Sequence, residues 1–296
     1  MSFVVYSLFT VPRLIINADD LGLTSGVNRA IDRASREGVV TSATLMANSR
    51  AFEEAVALCK NSPKLGIGCH VVLVDGEPIS DNIPSLTESI GKFKNDIKVF
   101  ALAAIQKKIS PDEIQREAQA QIRKIQAAGV TLTHVDTHKH THMFPHVLRP
   151  LIKAARACGI RAIRNPFEPF RAWPHFVASK PGLWTRAFEV TLLLKFANAS
   201  QRIINEEGIS TTDGTVGVIT TGRLNQELLI RTIQALPEGT WELVCHPGYV
   251  DADLHAPGTR LIDSRQIELE ALTSNQTRQA LAQRGVELIS YAELGS

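Results

Sequence analysis

Five stretches of this chain carry side chains able to do acid–base or metal chemistry: Asn17-Ala18-Asp19-Asp20, Gly68-Cys69-His70, the tract from His134 to His142, Arg164, and His246-Pro247-Gly248. Adjacent carboxylates suit two jobs, one ligating a cation and the other taking a proton from water. A plainer reading has Asp20 or Thr24 capping the next helix. His70, taken alone, reads equally as a satisfied core histidine. The tract His134-x-Asp136-x-His138-x-His140-x-His142 sets ionisable groups at every second position, and a continuing strand would turn them all to one face. Neutral imidazole ligates divalent metals, and a neighbouring carboxylate can orient the ring. The plain alternative is an incidental histidine-rich loop, with His146 in the following helix. His246 suits a general acid, or a structural histidine in a turn. Arg164 suits a carboxylate clamp or a stabiliser of developing negative charge, or a simple ion pair at a strand end.

Rival chemistries lack their signatures. There is no G-x-S-x-G elbow and no Walker motif. Cys69 and Cys245 each adjoin a histidine, but strand neighbours face opposite ways, so no Cys–His dyad follows. The four cysteines are dispersed, without C-x-x-C, as in a reducing compartment. Lys+Arg number 32 and Asp+Glu 30, giving a formal charge of +2 with no basic stripe, which argues against nucleic acid as a partner. Apolar residues make up 44% of the 296, a soluble globular balance, yet five of nine histidines fall between 134 and 146. No apolar run approaches the ~18 residues of a membrane span. Met1 to Val11 lacks a positive n-region and a cleavage site, so the expected location is the cytoplasm.

The elements that must position these groups alternate. Strands are predicted at 14–17, 39–46, 65–73, 131–136, 160–164, 215–220, 241–245 and 286–290. Helices are predicted at 24–37, 50–60, 111–128, about 145–159, 183–206, 224–235 and from Asp263 to Gly285. Ser110, Pro111 and Glu113 form a capping-box signature, and Asp263 with Gln266 forms another. Asp75 to Asn95 reads as a loop. Residues 165–212 interrupt the rhythm as an insertion or lid, and 1–12 read as an N-terminal extension of a single domain. Strand–helix alternation without G-x-G-x-x-G predicts an α/β fold: an irregular (β/α) TIM-like barrel of parallel strands with outer helices. Five strands then end at one face in ionisable residues.

The segments 14–23 (LIINADDLGL), 38–46 (GVVTSATLM), 68–70 (GCH), 133–140 (THVDTHKH) and 245–249 (CHPGY) together resemble the YdjC-like carbohydrate deacetylase family from about residue 13 onward. Residues 70–78 and 165–169 resemble its hopanoid biosynthesis-associated branch. The resemblance implies a metal-dependent hydrolase that removes acetyl groups from N-acetylated amino sugars. It implies one divalent ion (magnesium or zinc, with nickel and cobalt also open) on Asp20, His70 and His138. Asp19 matches the base, His246 the acid and, less securely, Arg164 a further catalytic residue. His134, Asp136, His140 and His142 are left as supporting or substrate-contacting groups. Cys69 departs from the usual Leu or Met, and neither 1–12 nor 165–212 matches the pattern.

The implied substrate is the N-acetylglucosamine head group of a glycosylated hopanoid, with chitobiose-like oligosaccharides as the alternative. Phe167, Phe170, Trp173, Phe176 and Trp184 could line an apolar groove for a lipid, or fill a subdomain core or homodimer contact. The rival functions are a hydrolase of another ester or amide, and a metal-dependent sugar- or lipid-binding protein. Mere binding would need neither Asp19 nor His246.

Overall fold

The computed structural model describes residues 11–89, 91–169, 180–255 and 259–294. In chain order the elements are β1 (Arg13–Leu21), α1 (Ser25–Arg36), β2 (Ser42–Leu45), α2 (Phe52–Asn61), β3 (Gly66–Val71), β4 (Thr87–Ser89), β5 (Lys92–Phe93), α3 (Ile97–Ile105) and α4 (Pro111–Ala127). There follow β6 (His134–Thr137), α5 (Pro145–Ala157), α6 (Pro181–Leu193), α7 (Ala197–Glu207), β7 (Gly214–Val216), α8 (Gln226–Gln234), β8 (Thr240–Cys245), α9 (Asp263–Thr273), α10 (Asn275–Arg284) and β9 (Glu287–Leu288).

Parallel strands curl in the order β6-β3-β2-β1-β8-β7, and β9 joins the first residues of β1. Between β6 and β7, among the described residues, single pairs close the wall. Ile163 pairs with Val135, Ser210 with Ala162, and the Thr215 N–H donates to the Phe167 carbonyl at 3.0 Å. This is the irregular barrel expected from the alternation. The strand expected at 160–164 shrinks to those bridges.

The pleat sorts the side chains. Leu14, Ile16, Ala18, Ala43, Leu45, Ile67, Cys69, Val135, Leu243 and Cys245 pack outward in the core shared with the helices. The alternate positions, Asn17, Asp19, Thr44, His70, Asp136 and Glu242, point inward and are buried. The barrel interior is therefore polar. The chemistry begins inside the strands, deeper than their ends.

Helix ends follow their caps. Thr24 accepts from the Val27 N–H at 3.2 Å and starts α1, so Asp20 is not the cap. At α4 the capping box is one-sided. Ser110 accepts from the Glu113 N–H at 3.4 Å, but the Glu113 carboxylate turns to the Ser85 N–H and hydroxyl. Asp263 begins α9 without capping it, and the single long helix expected there breaks at Ser274, whose extended backbone and hydroxyl start α10. Similarly, a 3₁₀ turn at Leu194–Phe196 separates α6 from α7. β7 stops at Val216 because Gly217 takes a φ of +98°. The segment read as a loop contains the β4–β5 hairpin, and α3 follows it. Phe167 is buried and Trp184 exposed, whereas residues 1–10, Phe170, Trp173 and Phe176 lie outside the described residues.

Candidate metal centre and active site

Asp19 and Asp20 are both buried within β1, although strand neighbours ordinarily face opposite ways. The pairing of β1 with β2 shifts register between Ala18 and Leu21, and Asp20 adopts φ +68°. A bulge with a left-handed residue re-aims one side chain, at a backbone cost of roughly 1–2 kcal/mol. Both carboxylates thereby reach one site.

Asp20, His70 and His138 meet there. Asp20 Oδ1 lies 3.5 Å from His70 Nε2 and 3.4 Å from His138 Nδ1, and the two nitrogens are 3.4 Å apart. Ligand atoms ~2.1 Å from an ion at tetrahedral angles lie about 3.4 Å from one another. The donor set, one carboxylate and two imidazoles, therefore fits a divalent cation in both size and chemistry. Asp136 Oδ1 lies 2.8 Å from His70 Nδ1, which aims Nε2 at the other two. A second grouping, Asp19, His70 and Asp136, has ligand atoms equally close. There, however, the carboxylates and the ring nitrogen are spent on hydrogen bonds to one another, to Thr44 and to Arg164.

Arg164 is the hub of the interior. Its Nη2 and Nη1 donate to Asp19 Oδ1 and Oδ2 at 2.6 and 2.9 Å. Nη1 lies 2.7 Å from Asp136 Oδ2, and Nε donates to Glu242 Oε1 at 2.8 Å. Every nitrogen of this fully buried guanidinium thus faces a carboxylate. Arg164 therefore clamps carboxylates, as one of its readings had it, and they are the protein's own: Asp19, Asp136 and Glu242. Tyr291 closes the network with a hydroxyl bond to Glu242.

Burial alone would raise the Asp19 and Asp20 carboxyls, but Arg164 beside one and Arg265 beside the other hold both well below the usual carboxylate range. Burial opposes a charged His70. Asp136, Asp19 and Asp20 overcome it and push that imidazole up to about 9, a measure of how strongly the site attracts positive charge. His246 goes the other way: burial outweighs Asp19 and Asp20 and lowers it to about 4, so the ring is neutral near pH 7. Its Nε2 is 3.8 Å from Asp19 Oδ2, and its backbone N–H donates to Glu268 Oε2 at 2.6 Å. Burial raises Glu268 to about 7.

The remaining histidines do not share one face. The strand ends at Thr137, and Lys139 and His140 take φ of 55° and 52°, which turns the chain into a 3₁₀ segment over His138–Met143. His142 is instead 2.6 Å from Thr137 Oγ1 through Nδ1, and His140 is nearly buried. Burial drives both well toward the neutral form. His134 stacks on Tyr291 at 3.7 Å, two residues before Asp136 on β6. Its ring lies against Gly68, where a Cβ would sit 2.5 Å from it, so any larger residue there must displace the ring or the strand. His146, in α5, lies 2.7 Å through Nε2 from the Ile109 carbonyl.

Sequence reasoning missed Asn17, Thr44, Glu242, Arg265 and Glu268. Thr44 Oγ1 lies within 3.3 Å of Asn17, Asp19, His70 and Asp136. Glu242 had a signal, a lone acid inside the apolar strand Trp241–Cys245. Arg265 and Glu268 had one too, as charges on the same helix face as Leu269 and Leu272.

The chain is 34% identical over 284 residues to a carbohydrate deacetylase of Brevibacillus brevis, covering 96% of this chain and 100% of that one. It is 32% identical over 287 residues to a chitooligosaccharide deacetylase of Proteus mirabilis, covering 95% and 98%. The fold is similar to the crystal structure of a candidate cellobiose-phosphate cleavage protein from Enterococcus faecalis V583, with TM-score 0.75 and 26% identity over 95% of this chain and 98% of that one. The family description "YdjC-like protein" matches residues 13–283, and with the motifs of the interior in place the chain belongs to the YdjC-like family.

Proposed function

We propose that this chain is a metal-dependent deacetylase that hydrolyses the acetamide of an N-acetylated amino sugar. The observation that carries the reading is the Asp20–His70–His138 triangle with the Asp19–His246 pair beside it: an ion site and a proton-handling pair side by side. Asp20, His70 and His138 would hold the ion, zinc suiting two imidazoles and a carboxylate, with magnesium the alternative. When bound, a divalent ion polarises the acetamide carbonyl and makes water more acidic.

The chain's own residues do the rest. Asp19, an anion fixed by Arg164, orients the attacking water and draws its proton as the new C–O bond forms. Neutral His246, 3.8 Å away, receives that proton and delivers it to the nitrogen as the C–N bond breaks, releasing acetate and a free amine. Arg164 acts through Asp19 as a positioning residue. Asp136 and Thr44 orient His70, while His134, His140 and His142 shape the walls.

Chito-oligosaccharides are the favoured substrates, since the Proteus mirabilis relative is named for them. A glycolipid head group is the second reading, favoured by the exposed row Trp184, Phe188 and Leu192 along one face of α6. The branch-like element 165–169 says little about substrate. Asn165 and Glu168 are buried and bond the backbone of Thr212, Gly217 and Ile219. Acetate release from diacetylchitobiose and from an N-acetylglucosaminyl lipid, each with and without chelator, tests the proposal. Metal-dependent turnover of either upholds deacetylation. Turnover of phosphoesters alone, or sugar binding without acetate, overturns it.

A further inference from the structure

Arg265 of α9 is a fully buried cation whose Nη2 donates to Asp20 Oδ2 at 2.6 Å. Its Nε donates to the Leu261 carbonyl at 2.9 Å, which ties the side chain to the turn that leads into α9. Asp20 is the one carboxylate within ion-pair distance of it among the described residues. The carboxylate is therefore divided: Oδ2 belongs to Arg265, and Oδ1 alone faces His70 and His138. The loop after β8 is built around this contact. The Gly248 N–H donates to the Arg265 carbonyl at 3.1 Å, and a Cβ at Gly248 would lie 2.9 Å from Arg265 Cδ. A larger residue there would crowd the arginine away from Asp20.

A buried ion pair is weak as a stabilising device, because desolvation consumes most of the attraction. An apolar residue on this inward face of α9 would serve packing as well. The pair's geometry supplies something packing cannot. Asp20 sits at a left-handed bend, and its carboxylate would otherwise be free to rotate or to chelate through both oxygens.

We propose that Arg265 is a positioning residue for the metal site. It holds Asp20 in place before the ion arrives and limits it to one ligating oxygen. This rests on the metal reading above, and the test separates the two. Chelator-stripped full-length protein is titrated calorimetrically with Zn²⁺, and with Co²⁺ while its visible absorption is recorded. Wild type is expected to bind one ion. Arg265→Gln is expected to bind about 10–100-fold more weakly, the usual loss for an outer partner of a metal ligand. Its Co²⁺ spectrum should weaken as Asp20 turns to two-oxygen ligation. Arg265→Lys, which keeps a donor and the charge, is expected within roughly threefold of wild type, a rescue on the same scale of outer-partner effects.

Gly248→Ala keeps the arginine but displaces it, and is expected to weaken binding by about tenfold, the lower end of that range. A folded Arg265→Gln protein with wild-type affinity and spectrum overturns the inference. Where that variant does not fold, wild-type affinity in Gly248→Ala overturns it instead. Wild-type protein that takes up neither ion overturns the metal reading itself.

Discussion

Arg164 grips both oxygens of Asp19, Nη2 to Oδ1 at 2.6 Å and Nη1 to Oδ2 at 2.9 Å. The carboxylate proposed to meet water is thus fixed in plane and kept ionised by a cation that water does not reach. Asp19→Asn should keep its place and bind the metal normally, because Asp19 lies outside the ligand triangle. It should lose about 10²–10⁴-fold in kcat/KM, the usual share of a general base. Steady-state acetate release together with metal content checks this. Wild-type turnover with metal bound would remove Asp19 from the mechanism.

Replacing the other partner should damage folding more than chemistry. Arg164→Met leaves Asp19, Asp136 and Glu242 buried without their shared cation. Breaking a buried pair from one side costs about 3–5 kcal/mol. The loss should be smaller at acidic pH, where the stranded carboxylates take up protons. Urea midpoints at two pH values measure both effects.

Glu168 gives a pH-dependent term away from the metal site. Burial raises its pKa from 4.5 to about 7, although it accepts from the Gly217 and Ile219 N–H groups. The folded value lies above the unfolded one for an acid, so the folded state binds the proton more tightly. The contribution is full below the unfolded pKa, falls as pH rises through the folded one, and is flat beyond. Wild type should lose stability relative to Glu168→Gln between pH 4.5 and about 7. Equal slopes in the two proteins would contradict the assignment.

His138 is the partly exposed corner of the triangle, its side chain 22% exposed. His138→Ala should fold normally, yet metal should no longer protect it. For wild type, metal at a hundredfold excess over Kd adds about 2.7 kcal/mol to unfolding. Melting curves with Zn²⁺ and with chelator should therefore separate for wild type and coincide for the variant.

Gly68→Ala sets a methyl group into the His134 ring, 2.5 Å from its nearest atom. Overpacking of this kind costs about 1–3 kcal/mol. His134→Ala should recover part of that loss, and a double-mutant cycle in urea gives the coupling. An uncoupled pair would mean that β3 yields elsewhere.

The sequence exposed what depends on period. Apolar runs and helical stripes located nearly every strand and helix, and the acids and histidines in those runs located the site. It concealed what depends on single backbone torsions. Nothing in Asp19-Asp20 announces that Asp20 takes φ +68°, and nothing in Lys139-His140 announces two left-handed residues that end the alternation. α3 escaped because Ile97–Ile105 is apolar all round but for Lys98 and so shows no period. Arg265 and Glu268 stand out only as charges on the apolar face of α9; that this face meets Asp20 and His246 is a tertiary relation the helix period does not encode.

The seam between β6 and β7 has a consequence for how such a protein can change. Elsewhere around the barrel each strand is held by several consecutive pairs, so lengthening one connection would drag a register with it. At Ile163 and Ser210 the wall is fastened by isolated stitches. Beyond Arg164 and Glu168, which the interior holds, the connection that carries α6 can change length while Asp19, Asp20, His70 and His138 keep their partners. Variation in that connection leaves intact the ladders that aim the side chains of the proposed site.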